Sequence, residues 1–211
     1  MKKNNLILAI TKSITYNIFL ENLSNTLNNN YNINILTTDI KNLNNNKHIN
    51  TEIKVPRRII DYLNIPILIK DIITINIKLF KYQNSILFLH TPNISFFLRA
   101  FLFFKFKKIV YFVHGFRFTP NTNLIKKVIF KSIEKILSYN TNIFLTINNH
   151  DFDYVASNFK KNSFFFKVNG IGIDVNLQSN KNNFIEKKSI NKILVIAAYK
   201  KDKGYLELLK V

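Results

Sequence analysis

The feature that most constrains the fold is a strand–helix–strand unit in the middle of the chain, in which a histidine follows each strand. Residues 86–89 form a short apolar run, and helical spacing of phenylalanines predicts a helix over residues 93–104. Residues 109–113, β-branched and aromatic, predict the second strand. In an open parallel sheet the carboxyl ends of the strands share one edge, and that edge binds ligands. We therefore expect His90 and His114 to lie side by side at this edge.

The spacing of the two histidines leaves two interpretations open. They are either loop residues whose rings are satisfied by the backbone, or part of a ligand-binding site. Gly115 favours the second interpretation, because a glycine lets the backbone approach a ligand closely.

The rest of the pattern predicts an α/β fold, a Rossmann-like parallel sheet with helices on both faces. Further strands are predicted at residues 5–10, 31–36, 51–55, 142–147 and 163–168, and further helices at residues 15–28, 57–82 and 122–139, with another from residue 150. Two helices carry apolar stripes. The first stripe, which fits the core better than a binding surface, is Ile69, Ile72, Ile73 and Ile77. In the second helix Lys127, Lys131 and Glu134 lie opposite the stripe and are expected to face solvent; that stripe is Ile125, Val128, Ile129, Ser132, Ile133 and Ile136.

The turn after the first strand carries hydroxyl groups where a dinucleotide-binding domain carries glycines. This argues against NAD or FAD, and we expect no cofactor. Thr11 and Ser13 suit a loop that faces a substrate, although a simple helix N-cap at Ser13 or Thr15 is an equally good explanation.

Composition limits the remaining function classes. The chain has no cysteine and only four scattered histidines, so we expect no metal site. The net charge is +19. However, lysine is abundant together with Asn, Ile and Phe, which is the composition that an AT-rich coding sequence produces. No nucleic-acid-binding motif stands out. We expect no nucleic-acid partner. An anionic membrane surface, contacted through Lys105, Lys107 and Lys108, is the expected polyanion.

Five short motifs occur in order between residues 90 and 174. They are His90-Thr91-Pro92, His114-Gly115-Phe116, Ile133-Glu134-Lys135, Ile147-Asn148-Asn149-His150-Asp151 and Asn169-Gly170-Ile171-Gly172-Ile173-Asp174. In this order they resemble the acceptor-side domain of family-4 retaining glycosyltransferases, of the bacterial capsule and O-antigen type.

The resemblance implies the N-terminal half of a two-domain GT-B enzyme that transfers a sugar from a nucleotide-sugar to a lipid-linked saccharide. His114 and Glu134 are then the catalytic candidates. The implied substrate-binding residues are Thr11, Ser13, His90, Gly115, Phe116, Asn148 and Asp151, and Lys203 is the implied contact to the donor diphosphate.

Three of these assignments compete with structural explanations. Glu134 fits a solvated carboxylate paired with Lys131 or Lys127. Asn148 and Asp151 fit an ordinary helix N-cap. The helix at residues 93–104 is either a core helix or an amphipathic face on lipid.

The resemblance also divides the chain into an acceptor-side domain at residues 1–175, a linker at 176–190 and the truncated start of a nucleotide-sugar domain at 191–211. Ala197-Ala198 stands where that family has Gly-Arg. We therefore expect the chain to be inactive alone, as a fragment, a disrupted gene product or one half of a split enzyme with a separately encoded donor domain. A cytoplasmic location, peripheral at the inner face of the cell membrane, is expected. The alternative function is a non-catalytic basic module that binds an anionic membrane surface.

Overall fold

The computed structural model describes residues 3–44, 47–56, 59–118, 122–159, 162–170, 195–196 and 204–209. The chain divides into two compact units, Met1–Ile173 and Asp174–Val211. In the second unit the structure describes a short helix, Tyr205–Leu208, which follows Gly204 at φ +75°. The predicted linker and Lys203 lie outside the described residues, and of the predicted start of the nucleotide-sugar domain the structure describes residues 195–196 and 204–209.

The first unit is built on a seven-stranded sheet in which every neighbouring pair of described strands is parallel, in the order β3-β2-β1-β4-β5-β6-β7. The strands are β1 (Asn4–Ala9), β2 (Tyr31–Thr37), β3 (Ile49–Glu52), β4 (Ile86–Leu89), β5 (Lys108–Val113), β6 (Ile143–Thr146) and β7 (Phe164–Lys167). This confirms the predicted Rossmann-like α/β fold.

The helices connect these strands. A continuous helical segment consists of α1 (Ser13–Thr15), a π-helical turn (Tyr16–Leu20) and α2 (Glu21–Leu27), and it is followed along the first unit by α3 (Ile65–Phe80), α4 (Pro92–Phe101), α5 (Leu124–Ser138) and α6 (Asn149–Asn158). We number the helix of the second unit α7. Two short 3-10 turns, Ile40–Asn42 and Ile59–Tyr62, lie in the connections around β3.

Alternating residues of the central strands build two separate cores. Leu6 and Leu8 of β1 pack with Tyr16 and Leu20 of the first helical segment on one face of the sheet. On the other face, Ile7 and its neighbours share a core with residues of α3 and α4 that include Leu79 and Phe97. Because side chains alternate across a strand, both faces of β1 must be covered, and its nearly continuous apolar sequence reflects this.

The predicted orientation of α5 is wrong. Its apolar stripe is exposed at Ile125, Val128, Ile129 and Ile136, whereas Leu137 is buried. The reason is that Lys131 and Glu134, on the other side of the helix, have partners inside the fold. Amphipathic spacing shows which residues share a face but not which face is inward.

The predicted core stripe of α3 is also wrong in part. Ile69, Ile73 and Ile77 are exposed, and only Ile72 packs against the core. Asn76 is on the inward side because its side chain forms hydrogen bonds with the backbone at the C-terminal end of α4. Its Nδ2 donates to the carbonyl of Phe101 at 2.9 Å, and its Oδ1 accepts from the N–H of Phe103 at 2.8 Å.

For α4, the core interpretation is correct. Its buried residues include Ile94, Phe97 and Leu98, none of them more than 1% exposed. Lys105, Lys107 and Lys108 after it are exposed. Among the described helices, none has the length and apolarity to cross a bilayer.

Candidate functional site

The candidate site lies where three parallel strands end. Thr11 follows β1, His90 follows β4 and His114 follows β5, all at the carboxyl edge of the sheet. The strand order reverses direction between β1 and β4, since β2 lies on one side of β1 and β4 on the other. In open α/β sheets the crevice at such a reversal is the usual ligand site.

The imidazoles of His90 and His114 are in direct contact. Their ring centroids are 4.3 Å apart, and Nε2 of His114 lies 3.1 Å from Nδ1 and 3.2 Å from Nε2 of His90. His90 is 1% exposed, whereas His114 is partly exposed. The prediction that the two rings lie side by side is confirmed, and His114 is the member that a ligand can reach.

Two phenylalanines position these rings. Phe88 and Phe112 precede His90 and His114 by two residues, so each lies on the same face of its strand as the histidine that follows. The ring of Phe112 is 5.1 Å from His90 and 4.5 Å from His114, and that of Phe88 is 6.1 Å from His90. The period-two spacing of Phe and His in both strands is the sequence signal for this support.

Both rings are neutral near pH 7. Burial, together with a smaller contribution from a positive charge on His114, lowers the pKa of His90 from its ordinary value to about 3. Burial also lowers the pKa of His114. A neutral imidazole carries one donor and one acceptor nitrogen, so the pair can share one hydrogen bond and still offer a polar atom of His114 to a hydroxyl group.

Two threonine hydroxyl groups contact each other at the carboxyl ends of β1 and β4. The Oγ1 atoms of Thr11 and Thr91 are 2.6 Å apart, and the N–H of Thr11 donates to Oγ1 of Thr91 at 2.9 Å. This link ties the ends of β1 and β4 together, and Thr91 is a site residue that the sequence analysis missed. The hydroxyl of Ser13 donates to the carbonyl of Asp39 and is fully buried, so its observed role is to hold the β2 connection.

The loop after His114 begins at Gly115, whose φ of +131° is a conformation that side chains disfavour. A Cβ added there would meet nothing within 4 Å, so open space lies beside the backbone. Phe116 turns away from that space: its ring stacks on Phe118 at 4.9 Å and packs against Tyr154 and Phe159.

Glu134 does not join the histidine pair. It lies on α5, where its Oε2 accepts from Nη2 of Arg99 at 2.9 Å. The guanidinium of Arg99 covers the ring of Tyr111 at 4.1 Å, and Tyr111 belongs to the core on the face of the sheet opposite Phe112 and the imidazoles. The expected pairing with Lys131 or Lys127 is replaced by this more buried one.

Asn148 and Asp151 form the N-cap of α6. The N–H of Asp151 donates to Oδ1 of Asn148, and Nδ2 of Asn148 donates to Oδ2 of Asp151, both at 2.8 Å. Asp151 also lies 3.3 Å from Nδ1 of His150. Asp151 and Asp153 are an Asp-x-Asp pair in sequence, but residues two apart on a helix point to different sides. Among the described residues, no cluster of three metal-ligating side chains occurs.

A separate open groove of about 440 Å³ lies at the connection from β3 to α3. Lys54, Asp61, Asn64 and Asp71 are its polar wall residues. The imidazoles do not line it, so the candidate site is defined by the strand ends and not by this groove.

Comparison with known proteins shows what the sequence and the fold of this chain are similar to. No family model matches the chain. Among curated proteins, an uncharacterised 41.2 kDa protein in the cps region of Klebsiella pneumoniae is 29% identical over 147 residues, which cover 64% of this chain and 41% of that protein. Among solved structures, the chain is similar to the sucrose-phosphate synthase of Thermosynechococcus elongatus, with a TM-score of 0.51, 12% identity, and coverage of 77% of this chain and 47% of that one.

The structural similarity establishes a fold like that of a GT-B glycosyltransferase. The chain spans less than half the length of both the curated relative and the solved structure.

Proposed function

We propose that this chain is the acceptor-binding half of a retaining glycosyltransferase of the family-4 type, which moves a sugar from a nucleotide-sugar to a lipid-linked saccharide in bacterial surface polysaccharide synthesis. The observation that carries the proposal is the contact between His90 and His114 at the carboxyl edge of the sheet, where β4 adjoins the strand-order reversal. The GT-B-like fold and the cps-region relative support it.

The chemistry fits a neutral imidazole. In the proposed transfer, the bond from the anomeric carbon to the donor diphosphate breaks, the acceptor oxygen bonds to that carbon, and the acceptor proton passes to the departing diphosphate. Such a step depends on holding the acceptor hydroxyl at the anomeric carbon. His114, neutral and partly exposed, accepts or donates one hydrogen bond at this point, and the buried His90 holds its ring in place.

Other residues have supporting roles in the proposal. Thr11 and Thr91 line the acceptor side, and Gly115 lets the acceptor approach the backbone. Lys203 contacts the donor diphosphate. Ser13, Phe116, Asn148 and Asp151 act through the scaffold, because each has an interior partner. The reaction is proposed to use neither a cofactor nor a metal.

A second candidate function is a basic module that binds an anionic membrane surface without catalysis. The exposure of Lys105, Lys107 and Lys108 favours it. These lysines precede or start β5, so they lie at the amino edge of the sheet, whereas His114 lies at the carboxyl edge. Six residues of strand separate the edges by about 20 Å. Contact through this cluster therefore leaves the histidine pair facing away from the lipid.

The test uses the imidazole NMR signals of the chain, which has four histidines. The probes are water-soluble polyprenyl-diphosphate-saccharide analogues and, separately, nucleotide-sugars. Acceptor analogues are expected to shift the signals of His90 and His114 and to leave those of His48 and His150 in place. In the variant His114→Ala the shift of His90 should be lost at the same ligand concentration. Shifts confined to His48 and His150, or no shift with any acceptor analogue, contradict the proposal.

A further inference from the structure

The outer side of α5 is apolar and open to solvent. Its exposed apolar residues, here called the α5 outer stripe, are Leu124, Ile125, Val128, Ile129 and Ile136. Their exposures range from 51% for Ile129 to 77% for Leu124. Single exposed apolar residues are ordinary on protein surfaces, but a contiguous stripe of this kind marks an interaction site.

Interior contacts fix this orientation. Glu134 neutralises Arg99, whose side chain is 0% exposed. The ammonium of Lys131 lies 5.0 Å from the ring of Tyr154, and Leu137 is in the core at 5% exposure. Turning the stripe inward would leave the Arg99 charge buried without its partner, which is strongly unfavourable. The exposed stripe is therefore part of the folded structure.

Helix α3 also carries exposed apolar residues. They include Ile65, Ile69, Ile73, Ile77 and Phe80. Its inward residues share one core with α4 and with Phe130 of α5, so α3 and α5 cover the same face of the sheet. Two helices of one layer thus turn isoleucines outward.

The charges beside these residues indicate which kind of partner the surface binds. α5 carries four lysines and a single acid, Glu134, which Arg99 already engages. Lys126 and Lys135 are exposed, and the whole chain carries a net charge of +19. An apolar stripe with flanking lysines is complementary to the interface of an anionic bilayer, where isoleucines enter the acyl boundary and lysines meet the headgroups.

We propose that the outer surface of α3 and α5 docks on an anionic lipid bilayer. This surface differs from the lysine cluster at residues 105–108, because it is apolar and runs along the helices instead of capping one edge of the sheet. Each lysine near such a membrane strengthens binding roughly fivefold. Insertion of the apolar side chains into the bilayer strengthens binding further, and salt does not screen this contribution. The proposed function supplies a reason for docking, because the proposed acceptor is lipid-linked. The docking itself does not depend on sugar transfer.

The experiment is co-sedimentation of the full chain with phosphatidylcholine vesicles, with and without phosphatidylglycerol. The test variant is Ile125→Glu with Ile129→Glu. The matched control is Ile14→Glu with Ile18→Glu, at residues of 55% and 61% exposure on the helical segment that covers the other face of the sheet. Both variants lose two exposed isoleucines and gain two negative charges. The test variant is expected to bind anionic vesicles at least about tenfold more weakly than the wild type, and the control less than about twofold.

Several outcomes overturn the proposal. They are no binding of the wild-type chain to anionic vesicles, equal loss in both variants, and equal binding to pure phosphatidylcholine. Wild-type dimers that the test variant abolishes would instead assign the surface to a second copy of the chain. Thermal unfolding of both variants checks the fold, and Ile125→Ser with Ile129→Ser replaces the test variant if the glutamates prevent folding. A failed NMR test of acceptor binding would leave this result standing, so the two proposals fail separately.

Discussion

At the scale of single residues, the histidine pair combines burial with contact between two titratable rings. His90 has little access to water, and a proton on either ring would face the other ring at a nitrogen–nitrogen distance of 3.1 Å. Burial and this repulsion act in the same direction, toward the neutral form. A site that must hold a hydroxyl group at neutral pH gains from this, because its hydrogen-bonding state does not change with small shifts of pH.

The first prediction concerns the pH dependence of stability. The pKa of His90 is about 3 in the folded chain and near its ordinary 6.5 when unfolded, so the unfolded state binds the proton first as pH falls. Its contribution to the free energy of unfolding is complete above pH 6.5 and is lost progressively toward pH 3. Between about pH 6.5 and pH 5 this loss amounts to about 2 kcal/mol. His90→Phe removes this part of the slope, which urea unfolding at a series of pH values measures.

The control for that series is His150→Gln, which changes an exposed ring. Its slope is measured under the same conditions. The interpretation of His90 as a buried neutral base is wrong if the slope of His90→Phe equals that of the wild type.

The second prediction concerns Glu134. Glu134→Ala leaves the buried guanidinium of Arg99 without its carboxylate, and Nη1 of Arg99 already lacks a hydrogen-bond partner among the described residues. The free energy of unfolding should fall by about 2–4 kcal/mol. The double variant Arg99→Met with Glu134→Ala should recover more than half of that loss in chemical unfolding. No recovery would show that the two side chains are not coupled, and would leave Glu134 free for the catalytic role that the motif suggested.

At the scale of elements, the sequence predicts where strands and helices lie better than which way helices turn. The predicted run at residues 86–89 matches β4 (Ile86–Leu89), because continuous apolar runs between polar turns have few alternatives. The orientation of α5 depends on Arg99, 35 residues from Glu134 in sequence. No local pattern contains that contact, so amphipathic spacing alone does not predict which side of α5 is buried.

The candidate site was partly predictable for a related reason. His90 and His114 follow successive strands of a parallel sheet, and topology alone then places them at one edge. Phe116 and Asp151 satisfy the same motif, but their side chains are used inside the fold, by the aromatic cluster and by the α6 cap. A motif fixes backbone position, whereas the direction of a side chain depends on neighbours distant in sequence.

The third prediction tests the orientation of α5 directly. Ile129→Ser, on the exposed side, should change the free energy of unfolding by less than about 0.5 kcal/mol. Leu137→Ala, on the buried side, should lower it by about 2–4 kcal/mol because it leaves a cavity. The two variants are compared by chemical unfolding under one condition. The orientation predicted from amphipathicity alone requires the opposite order, so a larger loss in Ile129→Ser would contradict the structure.

At the scale of the whole molecule, the first unit supplies one wall of a proposed cleft. Its sheet brings acceptor-side hydroxyls and the imidazole pair to one edge. Transfer also needs a positive field on the departing diphosphate, opposite that wall. The relatives of this chain are more than twice as long as the part it matches in them. The comparisons therefore concern less than half of either relative.

The fourth prediction is that the purified 211-residue chain shows little or no turnover of nucleotide-sugars. The physical reason is that rate enhancement in the proposed transfer comes from orienting two substrates and stabilising the diphosphate, and the proposed site at His90 and His114 orients the acceptor only. The measurement is release of nucleoside diphosphate from a panel of nucleotide-sugars, with and without the acceptor analogues of the NMR test. Acceptor binding at His90 and His114 without turnover is the expected combination. Robust turnover that His114→Ala leaves unchanged would show both that the chain suffices for transfer and that the histidine pair is not its site.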